Sequence, residues 1–260
     1  MIGRLWRVNL FGLNDLCEGD DMCGRYTLKT PVDLLWKQFA LGNDVSENII
    51  SLMHPRYNIA PSQEILTIVY GDNPNPQFMH WGMSLFPEFG EGKHKLDGSI
   101  INVRAETLFE KPTFREFAKY NRCLIPADGF YEWQTRDGQK TPLHFVRKDD
   151  QPFAFAGIWH ERVVSSGKNS YSCAIVTTRA NKFMRNFHHR MPLILTVEEQ
   201  NLWINPRITN EDQLNPLLTP YGAEDMVAYE VSKIVNSTRD DTAEMVFPVS
   251  PASYQMGLIE

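Results

Sequence analysis

The 260-residue sequence is poor in cysteine and has no long apolar run. Its four cysteines are widely separated and include no Cys-x-x-Cys pair, which argues against a zinc site or a disulfide framework and favours a reducing cytosol. We therefore expect no metal and no cofactor, and we expect Cys123 and Cys173 to be small buried hydrophobic side chains. No apolar stretch approaches the ~18 residues that a membrane-spanning helix needs, so we expect no membrane partner.

The amino-terminal stretch lacks the features of a signal peptide. Its apolar residues are interrupted by Arg7, Asn9 and Asn14, and acidic residues stand where a cleavage site needs small ones. The sequence contains no internal repeat, no low-complexity segment and no long linker. We therefore expect one domain and a cytoplasmic location.

The charge is small overall and unevenly distributed. The net charge of −6 argues against a general nucleic-acid binder. However, residues 198–260 hold 11 acidic and 3 basic residues, whereas residues 1–197 hold 21 acidic and 23 basic ones. The segment 177–192, TTRANKFMRNFHHRMP, contains several basic residues and no acidic one. A local anion-binding surface is therefore compatible with the negative total.

Strand patterns outnumber helix patterns. Runs rich in β-branched and aromatic residues predict strands at 65–70, 77–84, 122–133, 141–147, 153–163, 170–178, 192–196 and 226–232. The short spacing of the middle strands favours antiparallel hairpins. The sequence therefore predicts an α+β fold, in which an antiparallel, barrel-like β-sheet core carries peripheral helices.

Four segments predict the helices: 31–41, 107–120 with an interruption at Pro112, 196–204 and 211–218. Thr30 is suited to cap the first helix, with Pro31 in its first turn. Thr196 and Glu199 have the spacing of a capping box.

Four short segments combine reactive residues with turn chemistry: MCGRY (22–26), INVRAET (101–107), DGFYEW (128–133) and FHHRMP (187–192). Glu132 lies between two aromatic residues, where a strand is usually dry. Its carboxylate either pairs with a cation or has a raised pKa and moves protons. Asn102 and Arg104 alternate along an extended segment and face the same way, either toward a ligand or as hydrogen-bonding supports of the sheet.

Together these segments resemble the SOS-response-associated peptidase (SRAP) family of abasic-site processing proteins. The resemblance extends from Met22 to about Val249, so it implies one SRAP domain over residues 22–260, with residues 1–21 outside the family pattern as an extension. Nine segments match in the same order: MCGRY, RYNIAPSQ (56–63), HWGMSLFP (80–87), INVRAET, RCLIPADGFYEW (122–133), FAGIW (155–159), TTRAN (177–181), HHRMP and VSKIVN (231–236).

The resemblance implies that Cys23, the residue after Met22, is the catalytic nucleophile. It also assigns catalytic roles to Asn102, Glu132 and His188. His188 fills the family's histidine position because Arg190, Met191 and Pro192 fix the register, which leaves His189 in the variable position. Seen from the residues alone, either histidine could be an ordinary surface imidazole.

The resemblance further implies a DNA-binding groove. Arg25, Arg104 and Arg190 would neutralise phosphates, and Trp81 would wedge against bases. The implied partner is single-stranded DNA that contains abasic sites, at junctions with duplex, bound by a monomer that in a bacterium associates with the nucleoid. One departure inside the matched region is Val103, where the family usually has alanine.

An amino-terminal cysteine is suited to abasic sites because their open-chain form is an aldehyde. An α-amine with a pKa of about 7.7–8.0 is partly neutral near pH 7, whereas a lysine near 10.4 is mostly protonated. The amine would form an imine, and the thiol of Cys23 would then close a thiazolidine ring. Residues 1–21 would prevent this chemistry, so translation starts at Met22, the chain is cleaved before Cys23, or the extended protein is inactive. We favour the first interpretation.

Two other classes of function stay open. A cysteine peptidase would use Cys23 as nucleophile, His188 as base and Asn102 to orient the base, and it would tolerate an amide at Cys23. A non-catalytic reader of modified DNA bases would use Trp81 and the arginines without needing Cys23.

Overall fold

A computed structural model of the chain describes residues 24–41, 46–70, 73–83, 99–136, 138–163, 169–250 and 255–256. In chain order its strands are β1 Tyr26–Leu28, β2 Arg56–Ile59, β3 Glu64–Tyr70, β4 Pro74–Trp81, β5 Asn102–Arg104, β6 Arg122–Ala127, β7 Gly129–Arg136, β8 Gln139–Arg147, β9 Phe153–Val163, β10 Asn169–Arg179, β11 Arg190–Pro192, β12 Ile194–Leu195, β13 Met226–Glu230 and β14 Gln255–Met256. The α-helices are α1 Val32–Gln38, α2 Glu47–Leu52, α3 Pro112–Tyr120, α4 Val197–Ile204 and α5 Glu211–Leu214.

Five strands close into a barrel in the order β3, β4, β10, β9 and β6, and β6 pairs back onto β3. The predicted barrel-like core and α+β class are therefore confirmed. One feature differs from the prediction, because β10 pairs with both β4 and β5 in parallel. Parallel neighbours need a long connection, and the chain supplies one between β4 and β10 through β6 and β9. The barrel thus closes through a parallel pair rather than a hairpin.

The second sheet is antiparallel, with the strand order β14, β13, β8, β7, β1, β2. The single strand predicted at 122–133 divides at Asp128 into β6 of the barrel and β7 of this sheet. The Asp128 carboxylate fixes the corner, because Oδ1 accepts from the Thr27 hydroxyl at 2.6 Å and Oδ2 accepts from the main-chain N–H of Lys29 and Thr30. The hydrogen bonds from main-chain N–H groups to this carboxylate take the place of strand-to-strand hydrogen bonds that are lost at the bend.

Aromatic side chains join the two sheets in one hydrophobic core. Phe155 of β9 meets Tyr26 of β1 edge to face at 5.7 Å and Phe130 of β7 at 6.3 Å. Phe130 in turn stacks on Phe145 of β8 at 5.2 Å. Because Tyr26 belongs to the sheet that carries the amino-terminal end of the described chain, this packing fixes that end against the barrel.

The helices lie where the sequence predicts them, with differences at their ends. Thr196 and Glu199 form the predicted capping box of α4. Pro112 begins α3 rather than interrupting a longer helix, because its ring fits a first turn. At α1 the prediction is wrong by one residue, since Pro31 itself occupies the N-cap position. The Thr30 hydroxyl bonds to Asp128 instead. The short helix α2 was not predicted.

Two buried cysteines fit the expectation from sequence. Cys123 and Cys173 are fully buried and free of disulfides, and burial raises the pKa of both thiols above the ordinary value. Within the described residues, no helix is both long and apolar enough to cross a membrane.

Candidate active site

The amino-terminal end of the described chain lies along strand β7. Gly24 is the first described residue, and Cys23 is outside the described residues. The Arg25 carbonyl accepts a hydrogen bond from the Tyr131 N–H at 3.0 Å, and Tyr26 pairs with Phe130. The main chain that leads directly to residue 23 is therefore bonded to the residue next to Glu132.

Glu132 is a buried carboxyl group, with 7% of its surface exposed. It pairs in register with Leu143 of β8 and stands between fully buried Tyr131 and half-buried Trp133. Burial also raises the pKa of the Tyr131 hydroxyl well above its ordinary value. Because neighbouring residues of a strand point to opposite faces, Tyr131 and Glu132 lie on opposite sides of β7.

Arg25 is held by several groups at once. Its Nη1 donates to Asn58 Oδ1 at 2.9 Å and to the Val235 carbonyl at 2.5 Å, and its Nη2 donates to the Asn236 carbonyl at 3.3 Å. The guanidinium carbon lies 5.6 Å from the Trp133 ring centre, a cation–π contact. Burial lowers the pKa of Arg25 from its ordinary value. The guanidinium N–H groups that make these contacts are the ones that were predicted to bind DNA phosphates.

The loop that carries His188 reaches the same strand. The Gln134 side chain of β7 donates to the Asn186 carbonyl at 3.1 Å. His188 Nδ1 accepts from the Arg190 N–H at 3.1 Å, and its ring stacks on His189 at 4.4 Å. An Nδ1 that accepts a hydrogen bond places the proton of a neutral imidazole on Nε2. Glu132 and His188 thus lie on neighbouring elements.

Asn102 and Arg104 lie on the short strand β5, beside β10. Asn102 pairs with Ile175 and Arg104 with Thr177. The predicted alternation is present, because Val103 is buried while Asn102 is half-buried and Arg104 is exposed. This strand brings an amide and a guanidinium to one side of the barrel.

Arg190 is more enclosed than a simple phosphate ligand. Its Nη1 donates to Glu106 Oε1 at 2.6 Å, and its Nη2 donates to the carbonyl and hydroxyl of Thr177. The guanidinium lowers the pKa of Glu106 through this hydrogen bond, although burial of the carboxyl group acts in the opposite direction. Glu106 also lies 4.0 Å from Arg179. Glu106 was not predicted as a site residue, although the INVRAET motif contains it.

Trp81 differs from its prediction. Its indole is fully buried, packs edge to face on Tyr26 at 5.4 Å and donates its N–H to the Ile101 carbonyl at 3.0 Å. A ring enclosed in this way is not available to stack on bases, so the structure corrects the prediction for Trp81. The signal was present in the sequence, because Met79 and Met83 flank it at the period of two that marks a buried strand face.

Exposed cations surround the end of β10. Besides Arg104, the described chain exposes three more in this region: Arg179, Lys182 and Arg185. Their positive charge is concentrated within the acid-free segment noted above, which agrees with a local anion-binding surface. In the part of the chain that the structure describes, no three His, Cys, Asp or Glu side chains are grouped to hold a metal ion.

Comparison with known proteins agrees with these features. The chain belongs to the SOS response associated peptidase (SRAP) family, whose model matches residues 22–238. Among its relatives, Abasic site processing protein YoqW of Bacillus subtilis is 43% identical over 227 residues, which cover 86% of this chain and 99% of that protein. Abasic site processing protein HMCES of Gallus gallus is 31% identical over 196 residues, which cover 66% of this chain and 56% of that protein.

Solved structures support the same relationship. The crystal structure of a protein from Bacteroides thetaiotaomicron has a TM-score of 0.75 and 28% sequence identity. The match covers 88% of this chain and all of that protein. The barrel and the second sheet are therefore the shared framework on which these site residues are placed.

Proposed function

We propose that this protein processes abasic sites in single-stranded DNA and captures them covalently through an amino-terminal Cys23. The proposal is supported by membership of the SRAP family and by relatives named abasic site processing proteins. The capture would protect the damaged site during the response to DNA damage. The acting unit would be the SRAP domain of residues 22–260 after loss of Met22, as a monomer.

The proposed capture has two balanced steps. The α-amine of Cys23 attacks the aldehyde carbon of the ring-opened sugar, and loss of one water gives an imine. The Cys23 thiol then adds to the imine carbon, its proton passes to the nitrogen, and a five-membered thiazolidine closes. Ring closure removes the imine that would otherwise promote β-elimination of the DNA strand. The net change is the mass of the DNA less one water.

The observation that carries this proposal is the hydrogen bond between the Arg25 carbonyl and the Tyr131 N–H. It joins the chain two residues after Cys23 to the residue that precedes buried Glu132. In our proposal Glu132 passes protons during imine formation and reversal.

Two further side chains have proposed roles. Asn102 would hold the sugar and the α-amine by hydrogen bonds. His188 would protonate the ring oxygen of the sugar as it opens, or would hold an adjacent phosphate. Arg104, exposed on β5, is the arginine of the predicted groove with the greatest access to phosphates.

The chemistry requires a free α-amine on Cys23. We propose that this amine is exposed by initiation at Met22 and removal of that methionine, or by cleavage before Cys23 in the longer chain. An autoproteolytic cleavage would use the same thiol as nucleophile. Either route gives the same mature amino terminus.

The test measures the intact mass of the native protein before and after mixing with a single-stranded oligonucleotide that holds one abasic site. We expect a chain that begins at Cys23 and a product heavier by the oligonucleotide less one water. Cys23→Ala should retain the amine and lose the stable adduct. A native chain that retains residues 1–21 and still forms the adduct would contradict the proposal.

The same measurements separate the other two classes. Acetylation of the α-amine abolishes thiazolidine capture but leaves a cysteine peptidase active on peptides in trans. A reader of modified bases binds DNA unchanged after Cys23→Ala and forms no adduct at all.

A further inference from the structure

The loop 235–241 lies across the edge of the second sheet and is held there by Asn58. The Asn58 side chain, 1% exposed, donates from Nδ2 to the Ser237 carbonyl at 2.8 Å and to the Asp240 carbonyl at 2.9 Å. A buried side-chain amide that donates to the main-chain carbonyls of a loop fixes the path of that loop.

Asp241 fastens the other end of the loop to β2. Its Oδ1 accepts from the main-chain N–H groups of Tyr57 and Asn58, and its Oδ2 accepts from Arg56 Nε at 2.7 Å. One carboxylate therefore satisfies three donors of the edge strand, two of which belong to the main chain. Removing it would break the contacts between this end of the loop and β2, while the contacts of Asn58 would remain.

The same loop also accepts hydrogen bonds from Arg25. The Val235 and Asn236 carbonyls accept from the Arg25 guanidinium, and Asn58 Oδ1 accepts from it as well. Asn236 Oδ1 also accepts from the indole N–H of Trp133 at 2.7 Å. The carbonyls of the loop and the amide of Asn58 thus form one receptor for the Arg25 side chain.

Arg25 is consequently fixed at two points, its carbonyl by Tyr131 and its guanidinium by the loop. Consecutive Cα atoms are ~3.8 Å apart, so fixing Arg25 restricts the positions that the α-amine of residue 23 can reach. Restricting a reacting group to one region raises its effective concentration against a bound substrate. Through its hydrogen bonds the loop fixes Arg25, which lies two residues after residue 23 in the chain.

We propose that Asn58 and Asp241 are positioning residues, which hold Arg25 through the loop 235–241 and thereby place the amino-terminal amine beside Glu132. This inference rests on the proposed covalent capture. It gives Arg25 the role of a tether for the amino terminus. Asp241 lies beyond residues 22–238, the range that the family model matches.

The test compares Asp241→Ala with Asp240→Ala, in chains that begin at Met22. Both substitutions remove one negative charge from the same exposed loop, but Asp240 contributes its main-chain oxygen, which alanine retains. We expect Asp241→Ala to lower the rate of adduct formation at saturating abasic DNA by about tenfold. Dissociation constants for the same DNA sequence without an abasic site should agree within about twofold among the wild type and both variants. Equal adduct rates in the two variants would overturn the inference.

A second measurement does not depend on covalent capture. Hydrogen–deuterium exchange of the peptide that contains the Tyr131 amide should increase in Asp241→Ala and stay at the wild-type level in Asp240→Ala. If the wild type forms no adduct, the proposed function fails, and exchange alone decides whether the loop fixes Arg25. Unchanged exchange in Asp241→Ala would refute the positioning role in either case.

Discussion

His144 is a single buried residue whose protonation state depends on folding. Its Nδ1 lies 2.9 Å from the Tyr229 hydroxyl oxygen, its Nε2 lies 3.2 Å from Thr27 Oγ1, and its ring stacks on Tyr131. Burial lowers the pKa of His144 to about 3, and nearby Lys29 acts in the same direction. The folded protein therefore keeps this imidazole neutral over the range in which an unfolded chain would protonate it.

The neutral His144 makes stability depend on pH. Below about pH 6.5 the unfolded chain takes up a proton that the folded chain refuses until about pH 3, so acid favours unfolding. The free energy of unfolding should fall through this residue by about 1.4 kcal/mol per pH unit below pH 6.5. His144→Gln should be less stable at pH 7 but should lose about 2 kcal/mol less between pH 6.5 and 5. Urea unfolding of the wild type and of His144→Gln at pH 6.5 and pH 5 measures this difference. Equal losses of unfolding free energy in the two proteins would disprove the prediction.

At the scale of secondary-structure elements, Arg122 joins the ends of two helices to the barrel. Its guanidinium donates to the carbonyls of Ala118 and Lys119 at the end of α3, of Trp203 in α4, and of Asn205 and Ile208 beyond α4. Burial lowers the pKa of Arg122 to about 10. The side chain thus donates to five carbonyls at or just beyond the ends of these helices, where helical carbonyls lack intrahelical partners.

Arg122→Lys should therefore destabilise the fold although it keeps the charge. An ammonium group has three donors at one point and cannot reach five carbonyls that surround a planar guanidinium. We expect the free energy of unfolding to fall by about 2–4 kcal/mol, because buried carbonyls lose their partners. Guanidinium chloride unfolding measures the loss. Exposed Arg207→Lys is the matched control and should change stability by less than about 0.5 kcal/mol.

Strand patterns and the capping box of α4 were predictable from sequence because their causes are local, whereas the cap predicted for α1 was not formed. The capping box of Thr196 and Glu199 needs only four consecutive residues, and β9 and β10 are long runs with strong strand propensity. The parallel pairing of β4 with β10 was not predictable, because it depends on where residues about 90 positions apart meet. The break at Asp128 depends on hydrogen bonds from residues 27–30 to the Asp128 carboxylate. These residues are also far from Asp128 in the sequence, so the break was not predictable either.

The candidate site was likewise predictable from the sequence only in part. Motif order assigned Asn102, Glu132 and His188 to one site, and the structure places Glu132 and His188 on elements that touch. Motif order did not reveal that Trp81 belongs to the core or that Asn58 receives Arg25. The contact between Asn58 and Arg25 depends on which distant segments meet, and a motif does not contain that information. The burial of Trp81 is instead indicated by its alternation with Met79 and Met83.

At the scale of the whole molecule, the net charge of −6 conceals a basic surface at the end of β10. If this surface binds DNA phosphates, affinity should fall with salt according to the number of phosphates that it neutralises. Arg104→Ala should reduce the slope of log affinity against log salt concentration by about 0.7, the value per phosphate for single strands. Titration of a single-stranded oligonucleotide without abasic sites at several salt concentrations gives the slope. Arg207→Ala, in the acidic carboxy-terminal part, should leave it unchanged, and equal effects of the two substitutions would exclude a localised surface.

The contacts between Arg25 and the loop 235–241 also order events during synthesis. Arg25 leaves the ribosome early, whereas the carbonyls that hold it leave more than 200 residues later. Until then the first residues of a nascent chain are accessible to an enzyme that removes an initiator methionine. The contacts form only once synthesis is nearly complete, so an unfinished chain would have a free amine without the geometry that directs it. Under the proposed function, rapid capture of abasic-site aldehydes would thus be acquired at the end of translation rather than at its beginning.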